Sequence, residues 1–177
     1  DRFINNLSKK YQTEINNFLI SGYLYRKKQF TMMENYLMSN LHHDFDRKKI
    51  IKNFDNQNNI FKDKPSLRLL ISSYLSDMAI RKSRNKNIPS SYLKMILEMS
   101  KFIFPKLEFP NYYLAKILDQ EKNQELALIK LQLISKNSFA YLPSLLNKYQ
   151  ILKNTDKKKS KKILDILLKN YSQNTSV

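Results

Sequence analysis

Only one glycine, Gly22, stands in 177 residues, with five prolines beside it. Tight β-turns need residues that tolerate positive φ, and a sheet protein of this length would need many of them. Leucine, lysine, glutamine and methionine, which lose little side-chain freedom in a helix, take up the space instead. The expected fold class is therefore all-α. With 42% hydrophobic residues the chain is no disordered tail, and its length allows one domain or one elongated array with a real core.

Apolar periodicity predicts about nine helices. The first carries Phe3, Ile4, Leu7, Tyr11, Ile15, Phe18 and Leu19 in steps of three and four, drifting off a heptad at Glu14 and Ile15, with Gly22 as a C-cap or a close-packing site. A second spans Phe30 to Leu41 on Met33, Tyr36 and Leu37. A third runs from Asp44 through Ile50, Ile51 and Phe54 and dissolves in the polar stretch 55–59. Ser66 is the expected N-cap of a fourth, with Leu67, Leu70, Ile71, Tyr74, Leu75 and Met78 as its apolar, core-facing stripe. A fifth opens at Ser90 or Ser91 and stops at Pro105. From Pro110 onward come four more, ending in a frayed 172–177.

The stretch 112–134, "YYLAKILDQEKNQELALIKLQLI", sets Ala115 and Ala127 among leucines on either side of a polar turn. Small residues there let two helix backbones approach, while Leu114, Leu118, Leu131 and Ile134 fill the surrounding space. A second copy follows 33 residues later, with Ile151, Ser160, Leu164 and Leu167 at the positions of Leu118, Ala127, Leu131 and Ile134. This segment, about 111–171, resembles the tetratricopeptide repeat family, whose unit is an antiparallel helix pair of about 34 residues. It departs from that pattern at Lys148, where a small residue is expected, and in lacking the family's terminal proline and early glycine. The resemblance implies a TPR-like α-solenoid with helix pairs at 111–137 and 139–171, in a repeat region 61–177. A less regular set of helices at 1–60 would cap the array or form a homodimer surface.

In that family the first helix of each pair lines a concave groove. The resemblance therefore puts Tyr112, Lys116, Asp119 and Tyr149 against a partner protein or peptide, without the residue set that clamps a chaperone's C-terminal carboxylate. No catalytic residue, metal ligand or cofactor is expected. The chain has no cysteine, no Ser-His-Asp signature and no glycine-rich phosphate loop. Its two histidines lie together in "HHDFD" (His42, His43, Asp44, Asp46), and adjacent histidines point to different sides of a helix.

The formal net charge of +17 brings in acidic partners and raises nucleic-acid binding as the alternative function. The basic runs 25–29, 81–86 and 156–162 would carry it. Lysine outnumbers arginine 26 to 6, however, and asparagine reaches 19, a bias that AT-rich codons also supply. Arginine, the better reader of phosphate and bases, is scarce. In this flavour the chain is similar to envelope lipoproteins of spirochaetes such as Borrelia. That similarity implies a lipid anchor in a segment preceding Asp1, a place in the bacterial envelope and a partner there; a cytoplasmic scaffold from an AT-rich genome is the alternative with the same composition. No apolar run approaches the roughly 20 residues of a transmembrane helix.

Overall fold

The computed structural model of the chain describes residues 13–41, 50–51, 54 and 65–171, and side chains among them up to Lys169. Its described elements are eight helices: α1 (Glu14–Arg26), α2 (Phe30–Asn40), α3 (Leu67–Ser83), α4 (Ser90–Ile103), α5 (Phe109–Gln120), α6 (Gln124–Gln132), α7 (Tyr141–Leu152) and α8 (Lys157–Tyr171). Among the described residues there is no strand, so the fold is all-α. Ile50, Ile51 and Phe54 of the expected third helix are helical. The remaining expectations at Phe3, Ile4, Leu7 and Tyr11, at His42 to Asp46, and at 55–59 and 172–177 lie outside the described residues.

Most helix ends follow the residues that the sequence offers. Ser66 accepts from the Leu69 amide at 3.1 Å and starts α3, and α4 stops at Phe104, one residue before Pro105. Pro110 and Pro143 sit in the first turns of α5 and α7, where the missing N–H had no helical partner to lose. Two ends differ. The single stripe expected from Phe3 to Leu19 is broken at Thr13, which is extended (φ −120°, ψ 162°) and caps α1. Gly22 is buried inside α1 and has no positive φ, so it packs closely and does not cap. The left-handed C-terminal position goes to lysine instead. Lys28 (φ 57°) and Lys122 (φ 61°) follow α1 and α5, with Gln29 N donating to Leu24 O at 3.0 Å and Asn123 N to Leu118 O at 2.8 Å.

The described residues form two compact units, the first ending at Leu107 and the second beginning at Glu108. In the first, α1 packs on α2 and on α3, and α3 on α4. Ile15, Phe18, Leu24, Met33, Leu37 and Phe54 are buried in its core. Polar clips fix the contacts. Asn17 on α1 donates to Asn40 O at 2.9 Å and accepts from the Tyr36 hydroxyl at 3.0 Å, tying α1 to α2. Asp77 on α3 accepts from Thr13 Oγ1 at 2.5 Å and Asn16 Nδ2 at 3.1 Å, tying α1 to α3, and pairs with Arg81 at 2.8 Å.

The largest correction concerns α3. Four of the six residues of its expected core-facing stripe point outward: Leu67 is 72% exposed, Tyr74 67%, and Leu70 and Ile71 are exposed as well, while Leu75 and Met78 are half-buried. The buried face holds Leu69, Ser72, Ser73, Ser76, Asp77, Ala79 and Ile80. Small side chains let α4 approach closely, and hydrogen bonds between helices satisfy the Ser72 and Ser76 hydroxyls, while the buried Ser73 Oγ has no hydrogen-bond partner. Ser76 Oγ lies 2.6 Å from Ser100 Oγ, and Ser72 Oγ donates to Ser100 O at 2.8 Å. Close approach across a hydrogen-bonded serine seam has won over burial of the larger apolar residues.

In the second unit α5 pairs with α6 and α7 with α8, while α7 also meets α5 and α6. Ala115 and Ala127 are 0% exposed, and Ser160 is buried too. Leu114, Leu118, Leu131, Ile134, Ile151 and Leu167 are buried around them. Glu108 Oε2 accepts from the Ser135 amide at 3.2 Å and its hydroxyl at 3.1 Å, linking the start of α5 to the residues after α6.

Candidate partner-binding face

Helix α5 has two sides of opposite character. Leu114, Ala115, Ile117 and Leu118 commit one side to the core. Tyr112, Lys116 and Asp119, at steps of four and three, fall together on the other. Lys116 is exposed, and Tyr112 and Asp119 are half-buried. The Lys116 ammonium lies 5.6 Å from the centroid of the Tyr112 ring, which in turn stands edge-on to Tyr113 at 5.1 Å. A cation over an exposed aromatic face gains about 0.5–1 kcal/mol. The charged end of Lys116 is thereby held near a flat apolar surface, a pairing suited to a partner carboxylate beside an apolar group.

Tyr149 is placed differently. It lies on α7 and packs against the cluster of Leu142, Leu145 and Leu167, with Leu146 and Ile163 beside it. Its ring serves the α7–α8 core, and what remains open is only part of a half-buried side chain. Its neighbour Lys148, at the position where a small residue was expected, is half-buried, and burial pushes its pKa below the usual 10.5.

At the start of α8, Lys157, Lys158, Lys159, Lys161 and Lys162 are all exposed around the buried Ser160. Asp156 caps this helix, accepting from the Lys159 amide at 2.9 Å, with the Lys159 ammonium at 3.1 Å. That amide hydrogen bond, then the one from the side chain, holds the Asp156 carboxyl below its ordinary 3.8. The cap offsets the unfavourable position of lysines at a helix N-terminus.

A second outward surface is absent from the sequence reading. On α4, Tyr92, Met95, Met99 and Phe102 form an exposed stripe, with Phe102 87% exposed. Lys82 of α3 lies 6.0 Å over the Tyr92 ring. The sequence signal for it was the run of small residues Ser72, Ser73, Ser76 and Ala79, of which Ser72 and Ser76 meet Ser100 at the seam, turning larger residues outward.

Among the described residues no three His, Cys, Asp or Glu side chains gather as a metal site, and no helix is long and apolar enough to cross a membrane. Comparison of the chain with known protein families, with curated proteins and with solved structures finds no match.

Proposed function

We propose that the protein is a non-enzymatic scaffold that binds a partner protein or peptide, one with acidic character, on the outward face of α5. In this reading α5–α6 and α7–α8 are successive TPR-like pairs of an α-solenoid, and α5 and α7 line its groove. Support for the repeat comes from matched burial 33 residues apart, at Ala127 and Ser160, Ile134 and Leu167, and Leu118 and Ile151. The observation that carries the binding face is Lys116 held over Tyr112, on the side of α5 that its own core does not use. Tyr112 and Lys116 form the grip, Asp119 extends it by a turn, and Tyr149 contributes from α7.

Affinity capture from the native cell, repeated with Tyr112→Ala and Lys116→Ala, tests this reading. Each substitution is expected to reduce recovery of one partner about tenfold or more, the size of an interface hot spot. Unchanged recovery of every partner with both variants would refute it.

The five exposed lysines opening α8 favour a second reading, nucleic-acid binding. It requires affinity for random duplex or single-stranded DNA that falls steeply with salt. Absence of binding at low salt removes it.

A further inference from the structure

We infer that the outward face of the α3–α4 hairpin is a docking strip for an acidic amphipathic helix. The inference rests on the reading of this protein as a partner-binding scaffold, but on a different surface from α5.

Arg68, Ile71, Leu75, Met78 and Lys82 follow one another on α3 at steps of three, four, three and four, so they share one face. Tyr92, Met95, Met99 and Phe102 do the same on α4. Lys82 over the Tyr92 ring shows that the two faces adjoin on one side of the hairpin. The opposite side of α3 is turned to α1 through the hydrogen bonds of Asp77 to Thr13 and Asn16. The result is an apolar strip of Ile71, Leu75, Tyr92, Met95 and Met99 with a cation at each end. From Arg68 to Lys82, fourteen residues of α-helix span about 21 Å, which is also the length of a four-turn partner helix.

Charge selects the partner. Between Pro65 and Leu107 there are eight Lys and Arg and two acids. Of the acids, Asp77 is buried and engaged with Thr13, Asn16 and Arg81. Glu98 is exposed and lies about 60° around α4 from Met95, so one acid borders the strip. Both ends of the strip, Arg68 and Lys82, are therefore cationic within a strongly basic segment, and a helix with acids near both ends would complement them. A second copy of this chain would set cation against cation. A lipid surface has no need of a strip closed at both ends. Exposed methionines, unbranched and polarizable, are the side chains that adapt to the uneven apolar face of a helix.

The test uses labelled synthetic peptides of about 18 residues, with leucine at i, i+3, i+4 and i+7 and glutamate elsewhere. A scrambled peptide of the same composition and a version with lysine for glutamate serve as controls. Fluorescence anisotropy with the full chain is expected to show binding of the patterned acidic peptide, at least about tenfold tighter than either control. Met99→Asp with Ile71→Asp should weaken it about tenfold or more, with circular dichroism confirming an unchanged helical fold. Should that pair unfold the chain, Arg68→Glu with Lys82→Glu answers the same question by reversing preference toward the lysine peptide. Tyr112→Ala should leave the affinity unchanged; a loss there would move the peptide to α5 and overturn the strip while sparing the scaffold reading. Equal binding of the scrambled peptide, or no peptide binding, also overturns it. So would binding to vesicles of phosphatidylglycerol and phosphatidylcholine (1:3) that Met99→Asp abolishes, or a sedimentation dimer that Met99→Asp dissolves.

Discussion

Ser72, Ser76 and Ser100 show how much a few hydroxyls decide in this chain. Each is fully buried, and the bonds among them cross from α3 to α4 at 2.6 to 2.9 Å. Ser100→Ala would strip Ser76 Oγ of its Ser100 partner while keeping it from water. That is expected to destabilise the chain by about 1–3 kcal/mol in denaturant unfolding. Replacing all three serines by alanine at once removes donors and acceptors together, and should cost less than the sum of the three single changes. Tyr36 offers a second check at this scale. Burial raises its phenol to about 12, with the hydroxyl donating to Asn17 Oδ1. Because the folded value lies above the ordinary 10.0, its stabilising contribution is complete below pH 10 and is lost as the pH climbs toward 12. Ultraviolet titration should find a tyrosine ionising at about 12, and Tyr36→Phe should remove that step.

At the scale of helices, the caps and stops were largely legible. Ser66 and Pro105 act where their chemistry demands, whereas the α5 set of Tyr112, Lys116 and Asp119 rested on the repeat resemblance and not on spacing. The orientation of α3 was not legible. Leucine and tyrosine at helical steps normally mark a buried stripe. Here the competing stripe of serines and alanine packs closer, and Ser72 and Ser76 hydrogen-bond to Ser100 across it. The same misreading hid the α3 half of the α3–α4 strip, because Ile71 and Leu75 belong to that expected stripe. The place of lysine in the helix C-caps was equally invisible, since a chain with one glycine must fill left-handed positions with other residues. Lys28→Gly and Lys122→Gly should each stabilise the fold by about 1 kcal/mol, because glycine has no Cβ to clash at positive φ. Thermal melts of the two variants check this, and a lowered midpoint would mean that the lysine side chains make compensating contacts.

Over the whole molecule, charge is the dominant long-range force. Thirty-two cationic against fifteen acidic side chains repel one another in the folded chain. Raising NaCl from about 0.01 M to about 1 M shortens the screening length from about 30 Å to about 3 Å. The midpoint of thermal unfolding is expected to rise across that range. A falling midpoint would show that local pairs such as Lys159–Asp156 outweigh the general repulsion. The fold class was readable at this scale from glycine scarcity, but the boundary between the compact units at Leu107 and Glu108 was not, because the stretch 104–108 has no linker composition and buries Leu107.

The serine seam also sets how the first unit responds to cooling. Exposing apolar surface on unfolding raises heat capacity, whereas exposing polar surface lowers it. A contact centred on hydroxyls therefore adds little to the heat-capacity increment. Its contribution holds nearly constant near freezing, where leucine-filled contacts such as those around Ala115 lose strength.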